Sequence, residues 1–289
     1  MSETTHHNLS GVPATLLIPL VYRAIETQRP DAMIKDEKAV ELIKQLSSDG
    51  PIRYDSDWIK QTPMAEANKV MRIMLTREMD RYARDFLSRH PEAVVVHIGC
   101  GLDSRFDRVA ERNSQVEWYD LDLPDVIELR RKLIGDEADF SGGRYHLLGC
   151  PVLEDAWLEA VRVHRGRPFL FLAEGVFMYF TEAQVKSLVL TLRDHFPGAE
   201  LVFDAWRPYE IWIGNFVLGG LLRWGFWRGQ ELEGWGAASP TGAGIRLLDE
   251  WGYFDRPEPR LHPFRWMAPI FRQLKPFRIF HFQLGEAAG

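Results

Sequence analysis

The stretch Val94-Val95-Val96-His97-Ile98 followed at once by Gly99-Cys100-Gly101 constrains this chain more than any other. A β-branched run without polar alternation belongs to a strand buried on both faces, which means a parallel sheet covered by helices on each side. The glycines then allow a tight turn and a close approach of backbone to a ligand.

The rest of the chain repeats this alternation. Residues 116–122, 145–148, 169–173, 201–203 and 277–284 read as further strands. Pro124 opens a helix that runs to Ile134, because a first-turn position does not need proline's missing N–H. Thr181 and Gln184 are spaced as a capping box ahead of Val185, Leu188, Val189, Leu192 and Phe196. The N-terminal third is helical in pattern over 15–24 (with Pro19 inside), 36–46 and 63–90, the last carrying Met71, Leu75, Met79, Tyr82 and Phe86 at helical spacing. The Met71, Met74 and Met79 stripe is expected to be core. Strands alternating with helices give an α/β, doubly wound, mainly parallel sheet.

Composition narrows the function. With 289 residues and 46% hydrophobic content, the chain can bury a large core. A net charge of -6 argues against nucleic acid as a partner. Two cysteines, Cys100 and Cys150, make neither a disulfide framework nor a zinc site, so no metal is expected and a reducing cytoplasm is the expected location. The polar residues 1–10 do not resemble a signal peptide. The most membrane-like stretch, Ile211 to Leu222, is too short to span a bilayer and reads as a buried or lid helix.

Ligands of open α/β sheets bind beyond the carboxyl ends of the strands. Those ends are Gly99 to Asp103, Asp122, Glu174 and Asp204. Asp122 lies 21 residues past Gly101, where a carboxylate at the second strand's tip can hold a ribose diol. Ser104 takes the place of the third glycine of a dinucleotide turn, and nothing matches a P-loop. Ala183, four residues after Tyr179, breaks the reductase-type Tyr-Lys pattern. A nucleoside without a phosphate chain remains, which points to S-adenosylmethionine.

VVVHIGCGLDSRFDRV (94–109), WYDLDLPDVIELRRKL (118–133) and AEGVFMYF (173–180), in that order, closely resemble the motifs of the leucine carboxyl methyltransferase family, which includes bacterial tetracenomycin-type polyketide O-methyltransferases. TLLIPLVYRAIETQRPDAMIKDEKAVELI (15–43) is similar to the family's helical lead-in. The resemblance implies a class I methyltransferase: a Rossmann-like, mainly parallel seven-stranded sheet with helices on both faces. Residues 1–90 would form a helical cap belonging to the same domain, and 91–289 the core, with an aromatic-rich substrate lid at about 206–275. The cofactor would be S-adenosyl-L-methionine, leaving as S-adenosyl-L-homocysteine. Gly99, Cys100 and Gly101 would pass under its methionine moiety, Asp122 with Leu123 would hold the ribose, Leu153-Glu154 would lie at the adenine, and Glu174 near the α-amino group or sulfonium. The family's carboxylate-binding arginine position is occupied here by Leu75, which makes Arg77 the first substitute and Arg72 the next.

Tyr179, Arg207, Tyr209 and Arg265 are candidate contacts to a small-molecule acceptor, an aromatic or polyketide-like natural product methylated on a carboxyl or hydroxyl group. Methylation of a protein C-terminal carboxylate and a non-catalytic cofactor-binding regulator are the alternatives. No membrane partner and no catalytic base are assigned. Cys100 and His97 are expected to be a buried thiol and a satisfied core histidine, while Asp103 and Arg105 suit either an ion pair, a helix cap or a ligand contact. Asp122→Ala removes the ribose acceptors and is expected to weaken S-adenosylmethionine binding by about 1–3 kcal/mol in calorimetry, with NAD failing to compete.

Overall fold

A computed structural model describes residues 14–48, 63–110, 115–134, 143–237, 244–255, 258–261, 268–274 and 276–286. Its centre is one seven-stranded sheet in the order β3-β2-β1-β4-β5-β7-β6. The strands are β1 (Val94–Ile98), β2 (Glu117–Asp122), β3 (Tyr145–Gly149), β4 (Phe169–Ala173), β5 (Ala199–Ala205), β6 (Ile245–Gly252) and β7 (Arg278–Leu284). β1 to β5 are parallel, and β7 inserts antiparallel between β5 and β6.

The two-residue period of a strand divides β1 between two cores. Val94, Val96 and Ile98 join Tyr119, Leu121, Phe171 and Phe203 on one face. There they pack against Trp157 and Val161 of α6 (Ala156–Arg162) and Val185, Leu188 and Val189 of α7 (Glu182–His195). Val95 joins Trp118, Leu170, Leu172 and Val202 on the other, against Val70, Met74, Met79 and Phe86 of α3 (Pro63–Arg89). Each of these large side chains contributes on the order of 1.5–3 kcal/mol by leaving water. This burial on both faces is why β1, β4 and β5 lack polar alternation in sequence. The capping box forms as expected, with Thr181 accepting from Gln184 N–H and the Gln184 side chain from Thr181 N–H.

Two N-terminal helices, α1 (Ala14–Thr27) and α2 (Glu37–Ser48), form a third cluster. Leu20, Ala24, Ala39 and Leu42 pack there with Leu102 of the glycine turn and Ile134. The N-terminal segment is thus built into the carboxyl-end face of the sheet.

The described residues within 206–275 include more than the expected aromatic lid. Ile245–Gly252 is the edge strand β6, and Trp224, Phe226 and Trp251 are core residues. Strand β6 escapes the sequence pattern because its polar residues Asp249 and Glu250 sit at an edge, beside a register shift at Leu247/Asp249. The apolar 211–222 stretch becomes α8 (Pro208–Leu218), ended by left-handed Gly219. It is not a buried helix: Trp212 is 79% exposed and Phe216 95%.

Glu200 ties three elements together. It accepts from both Arg89 Nη atoms at 2.9 Å and lies 2.7 Å from His281 Nε2, joining α3, β5 and β7. Burial alone would raise its pKa, but His281 and Arg89 outweigh this and hold it near 2. Such a carboxylate stabilises the fold above its unfolded pKa and loses that contribution as pH falls through the folded value. Glu200→Gln is therefore expected to lower stability at neutral pH and to flatten the acid loss between about 4.5 and 2, read from urea unfolding midpoints.

Candidate active site

Sheet topology brings the tips of β1, β2, β4 and β5 to one face. Gly99 and Gly101 have φ of +66° and +51°, in the left-handed region. A Cβ on Gly99 would lie 2.4 Å from Val176 Cγ2, so this position is closed to larger residues by the turn after β4 as well. Gly99 N–H donates to Leu121 O at 2.7 Å, tying the turn to β2. Asp122 completes the tie: its Oδ2 accepts from Gly101 N–H at 2.7 Å and its Oδ1 from Leu123 N–H at 2.8 Å. Each carboxylate oxygen retains acceptor capacity. Leu123, Leu153 and Glu154 are exposed around it, and Cys150 N–H donates to Asp122 O at 2.9 Å, bringing the β3 turn alongside. Cys100 is buried, and burial followed by the charge of Asp120 pushes its thiol pKa well up.

Below the turn lies a buried ionic network. Arg105 and Arg108, one helical turn apart on α4 (Arg105–Val109), meet Arg23 of α1 and the carboxylates of Asp36, Asp80, Asp103 and Glu174. Arg108 reaches Asp80 at 2.7 Å, Asp103 at 2.7 Å and Asp36 at 2.8 Å. Arg105 binds Asp80 at 2.8 Å, Asp103 at 3.2 Å and the Glu174 carboxylate. Arg23 donates to Asp36 at 2.8 Å and to Leu102 O at 2.7 Å. Ser104, at the position of a dinucleotide turn's third glycine, donates to Asp36 at 2.6 Å. Burial works to raise the pKa of Asp36 and Asp103, but Arg108 and Arg23 outweigh it and hold both below the usual range. Arg105 Nη1 is 3.0 Å from His97 Nε2. Since arginine has only donors, Nε2 accepts and the imidazole proton sits on Nδ1, facing Asp120 at 3.3 Å. Asp103, Arg105 and His97 are therefore structural.

A cavity of about 60 Å³ opens beside Glu174's neighbour strand, lined by Asn68, Met71, Arg72 and Leu75 of α3 with Asp204, Trp206, Tyr253 and Phe277. Arg72, not Arg77, faces it. Arg77 is turned to Glu78 at 3.4 Å and Glu258 at 3.8 Å. On α3, positions 68, 71, 72 and 75 share one face, so of the two arginines named from sequence Arg72 reaches this cavity and Arg77 does not. Met71 likewise lines the cavity instead of joining the core fully. Burial, and then the charge of Glu174, raise the Asp204 pKa to about 6 against Gly175 N–H and Arg72. Tyr253 and the non-glycine left-handed Phe277 (φ 40°) escaped the sequence reading, since only the return of β7 beside β5 brings them here.

The acceptor candidates separate. Tyr179 is part-exposed and close enough to Arg72 and Asp204 for their charges to act on its pKa, which burial raises. Arg207 is not available to an acidic ligand: it is 4% exposed and ion-paired to Glu250 at 3.3 Å. It caps α8, its N–H donating to Glu210 at 2.7 Å. Tyr209 lies off the cavity wall, its ring 5.9 Å from Trp227 and its hydroxyl pKa raised by burial to about 12. Arg265 falls outside the described residues.

This sheet order, with its glycine turn facing an acidic residue at the tip of β2, defines a class I methyltransferase fold. A duf574 family protein from Streptomyces avermitilis shares it, with a TM-score of 0.56 and 13% identity over 88% of this chain and 99% of that one. Residues 17–193 match the family model described as leucine carboxyl methyltransferase, and the chain belongs to that family of S-adenosylmethionine-dependent methyltransferases. It is similar to the tetracenomycin polyketide synthesis O-methyltransferase TcmP of Streptomyces glaucescens, at 34% identity covering 89% of this chain and 88% of the relative. It is also similar to the S-adenosyl-L-methionine-dependent methyltransferase dpfgK of Gibberella zeae, at 31% identity covering 74% and 73%. Among the described residues no helix is long and apolar enough to cross a membrane.

Breaking a buried ionic network on one side strands its remaining charges. Asp80→Ala leaves Arg105 and Arg108 underpaired and is expected to lower the unfolding free energy by about 3–5 kcal/mol in urea titration.

Proposed function

We propose that this protein transfers the methyl group of S-adenosylmethionine to an oxygen of a small, ring-containing natural product, forming S-adenosylhomocysteine as coproduct. The observation that carries this reading is the Asp122 carboxylate, fastened by Gly101 and Leu123 N–H groups at the tip of β2 with acceptor capacity left for a ribose diol. The site fits the cofactor in three further respects. Gly99 and Gly101 turn the chain with positive φ, Leu153 and Glu154 are exposed after β3 where an adenine would lie, and Arg72 lines the cavity with a guanidinium for a carboxylate. Glu174, held by Thr76 Oγ1 at 3.0 Å and by Arg105, offers a fixed carboxylate for the α-amino group.

When bound, the cofactor supplies an electrophilic methyl group on a sulfonium. The protein's own share is alignment and the exclusion of water. Glu174 cannot drift, because Arg105 is itself pinned by Asp80 and Asp103. Trp206, Tyr253 and Phe277 give the cavity aromatic walls suited to a ring system, in keeping with the polyketide named for the Streptomyces glaucescens relative. The acceptor residues of this reading are Trp206, Tyr253 and Phe277, with Tyr179 on the exposed turn after β4 as a further candidate.

Calorimetry with S-adenosylmethionine tests the assignment. Arg72→Met is expected to weaken binding by about 1.5–3 kcal/mol, the worth of a hydrogen bond to a charged group, and Arg77→Met to leave it nearly unchanged. The reverse result would return the carboxylate to Arg77.

A further inference from the structure

We propose that Glu210 and Gly214, on one face of α8, are positioning residues for the acceptor's ring system: Glu210 holds the backbone of Phe277, and Gly214 seats the ring of Trp206. This rests on the methyltransferase reading above and adds to it the residues behind the aromatic wall. Both act on the ring system, and so serve a hydroxyl or a carboxyl acceptor alike.

The three aromatic residues of the cavity wall are coupled. The Phe277 ring meets Trp206 edge-on, with centroids 4.8 Å apart and planes at 87°, and Tyr253 at 6.1 Å and 71°. Phe277 is thus the link between the other two. Its backbone has φ 40°, a left-handed conformation that a bulky aromatic residue keeps only where its surroundings impose it. Glu210, itself buried, supplies such a contact: Phe277 N–H donates to both of its carboxylate oxygens at 3.2 Å. The same carboxylate accepts from Arg207 N–H at 2.7 Å, which anchors it to the start of α8.

Gly214 lies four residues further on, one helical turn along the same face. Glycine weakens a helix interior, so its place there calls for a packing reason. A Cβ at 214 would lie 2.8 Å from Trp206 Cζ3 and 2.6 Å from Leu222 Cδ1. Leu222 is buried, and its N–H and carbonyl are each bonded to the Asn215 amide at 2.8 Å. The Trp206 backbone is held as well, its carbonyl accepting from Phe226 N–H at 3.1 Å. A side chain at 214 therefore presses on the Trp206 indole, whose edge-on partner is Phe277.

The groups facing Glu210 are Arg207 and Tyr209 from its own helix and Tyr253 after β6, while Glu250 of β6 and Arg278 of β7 act on Arg207 beside it. Burial outweighs the two N–H donors and the Arg207 charge and raises the Glu210 pKa to about 7. Above that pH both oxygens accept. Below it one oxygen carries a proton, and the hold on Phe277 loosens.

The test uses phenol and 2-naphthol, uncharged well below a phenolic pKa of about 10, as one-ring and two-ring probes of the protein loaded with S-adenosylhomocysteine. Gly214→Ala should weaken 2-naphthol binding about tenfold, and phenol binding less than about threefold, by overpacking the wall. Glu210→Gln keeps the shape but turns an NH2 group toward N–H donors, and should weaken 2-naphthol about fivefold. S-adenosylhomocysteine affinity should stay within about threefold in both variants, as expected for sites without shared partners, which also checks the fold. In protein carrying nitrogen-15 phenylalanine, the Phe277 amide is identified by its loss in Phe277→Leu. Its signal should shift with a midpoint near pH 7 in the wild type and hold still in Glu210→Gln. A Phe277 amide that does not titrate, or that still titrates in Glu210→Gln, overturns the role of Glu210. Equal loss of both probes in Gly214→Ala, or no loss of either, overturns that of Gly214. A wild-type protein that binds S-adenosylhomocysteine but neither probe overturns the aromatic cavity as acceptor site, and the proposal with it. Failure to bind S-adenosylhomocysteine overturns the methyltransferase reading itself.

Discussion

Three guanidiniums set among four carboxylates beneath the glycine turn hold the site together. Arg23, Arg105 and Arg108 come from α1 and α4, while Asp36, Asp80, Asp103 and Glu174 come from the start of α2, from α3, from the turn itself and from the end of β4. Removing this many charges from water is costly, and their mutual attraction offsets the cost only when every partner is in place. The network therefore specifies one arrangement of α1, α2 and α3 against the sheet. It also keeps one carboxylate, Glu174, directed at the functional face.

The apolar core performs a different task. Packing on both sheet faces seats α3 through Val70, Met74, Met79 and Phe86, and the ion pairs add a charged constraint to it. The ion pairs at Asp80 reinforce that register, and with it the placement of Asn68, Met71, Arg72 and Leu75 on the preceding turns of the helix. Asp80 thus helps decide which arginine of α3 lines the cavity. The same logic holds at the opposite wall, where Glu210 accepts from both Arg207 N–H and Phe277 N–H and so joins the start of α8 to the approach to β7. Burial raises the Glu210 pKa to about 7, against those two N–H donors.

The α/β architecture, the positions of β1 to β5, the Thr181 capping box and the facing pair Gly101 and Asp122 were legible in the sequence, because each rests on local physics. Strand burial leaves an unbroken apolar run, a cap needs two residues at fixed spacing, and a turn that adopts positive φ calls for glycine. Elimination of the dinucleotide and P-loop patterns already pointed to S-adenosylmethionine, and the motifs of the family agreed. Tertiary structure decided the rest. Arg72 lines the cavity and Arg77 does not, because helix phase, not proximity to a motif, sets which side chain meets that wall. Arg207 became a buried ion-pair partner because Glu250 arrives on an edge strand 43 residues away. The described residues within 206–275 supplied core and sheet as well as surface, since the antiparallel return of β7 leaves a flank that β6 pairs with. Tyr253 and Phe277 joined Asp204 because strands distant in sequence are adjacent in the sheet, and that adjacency comes from pairing across the whole chain, where no local pattern records it.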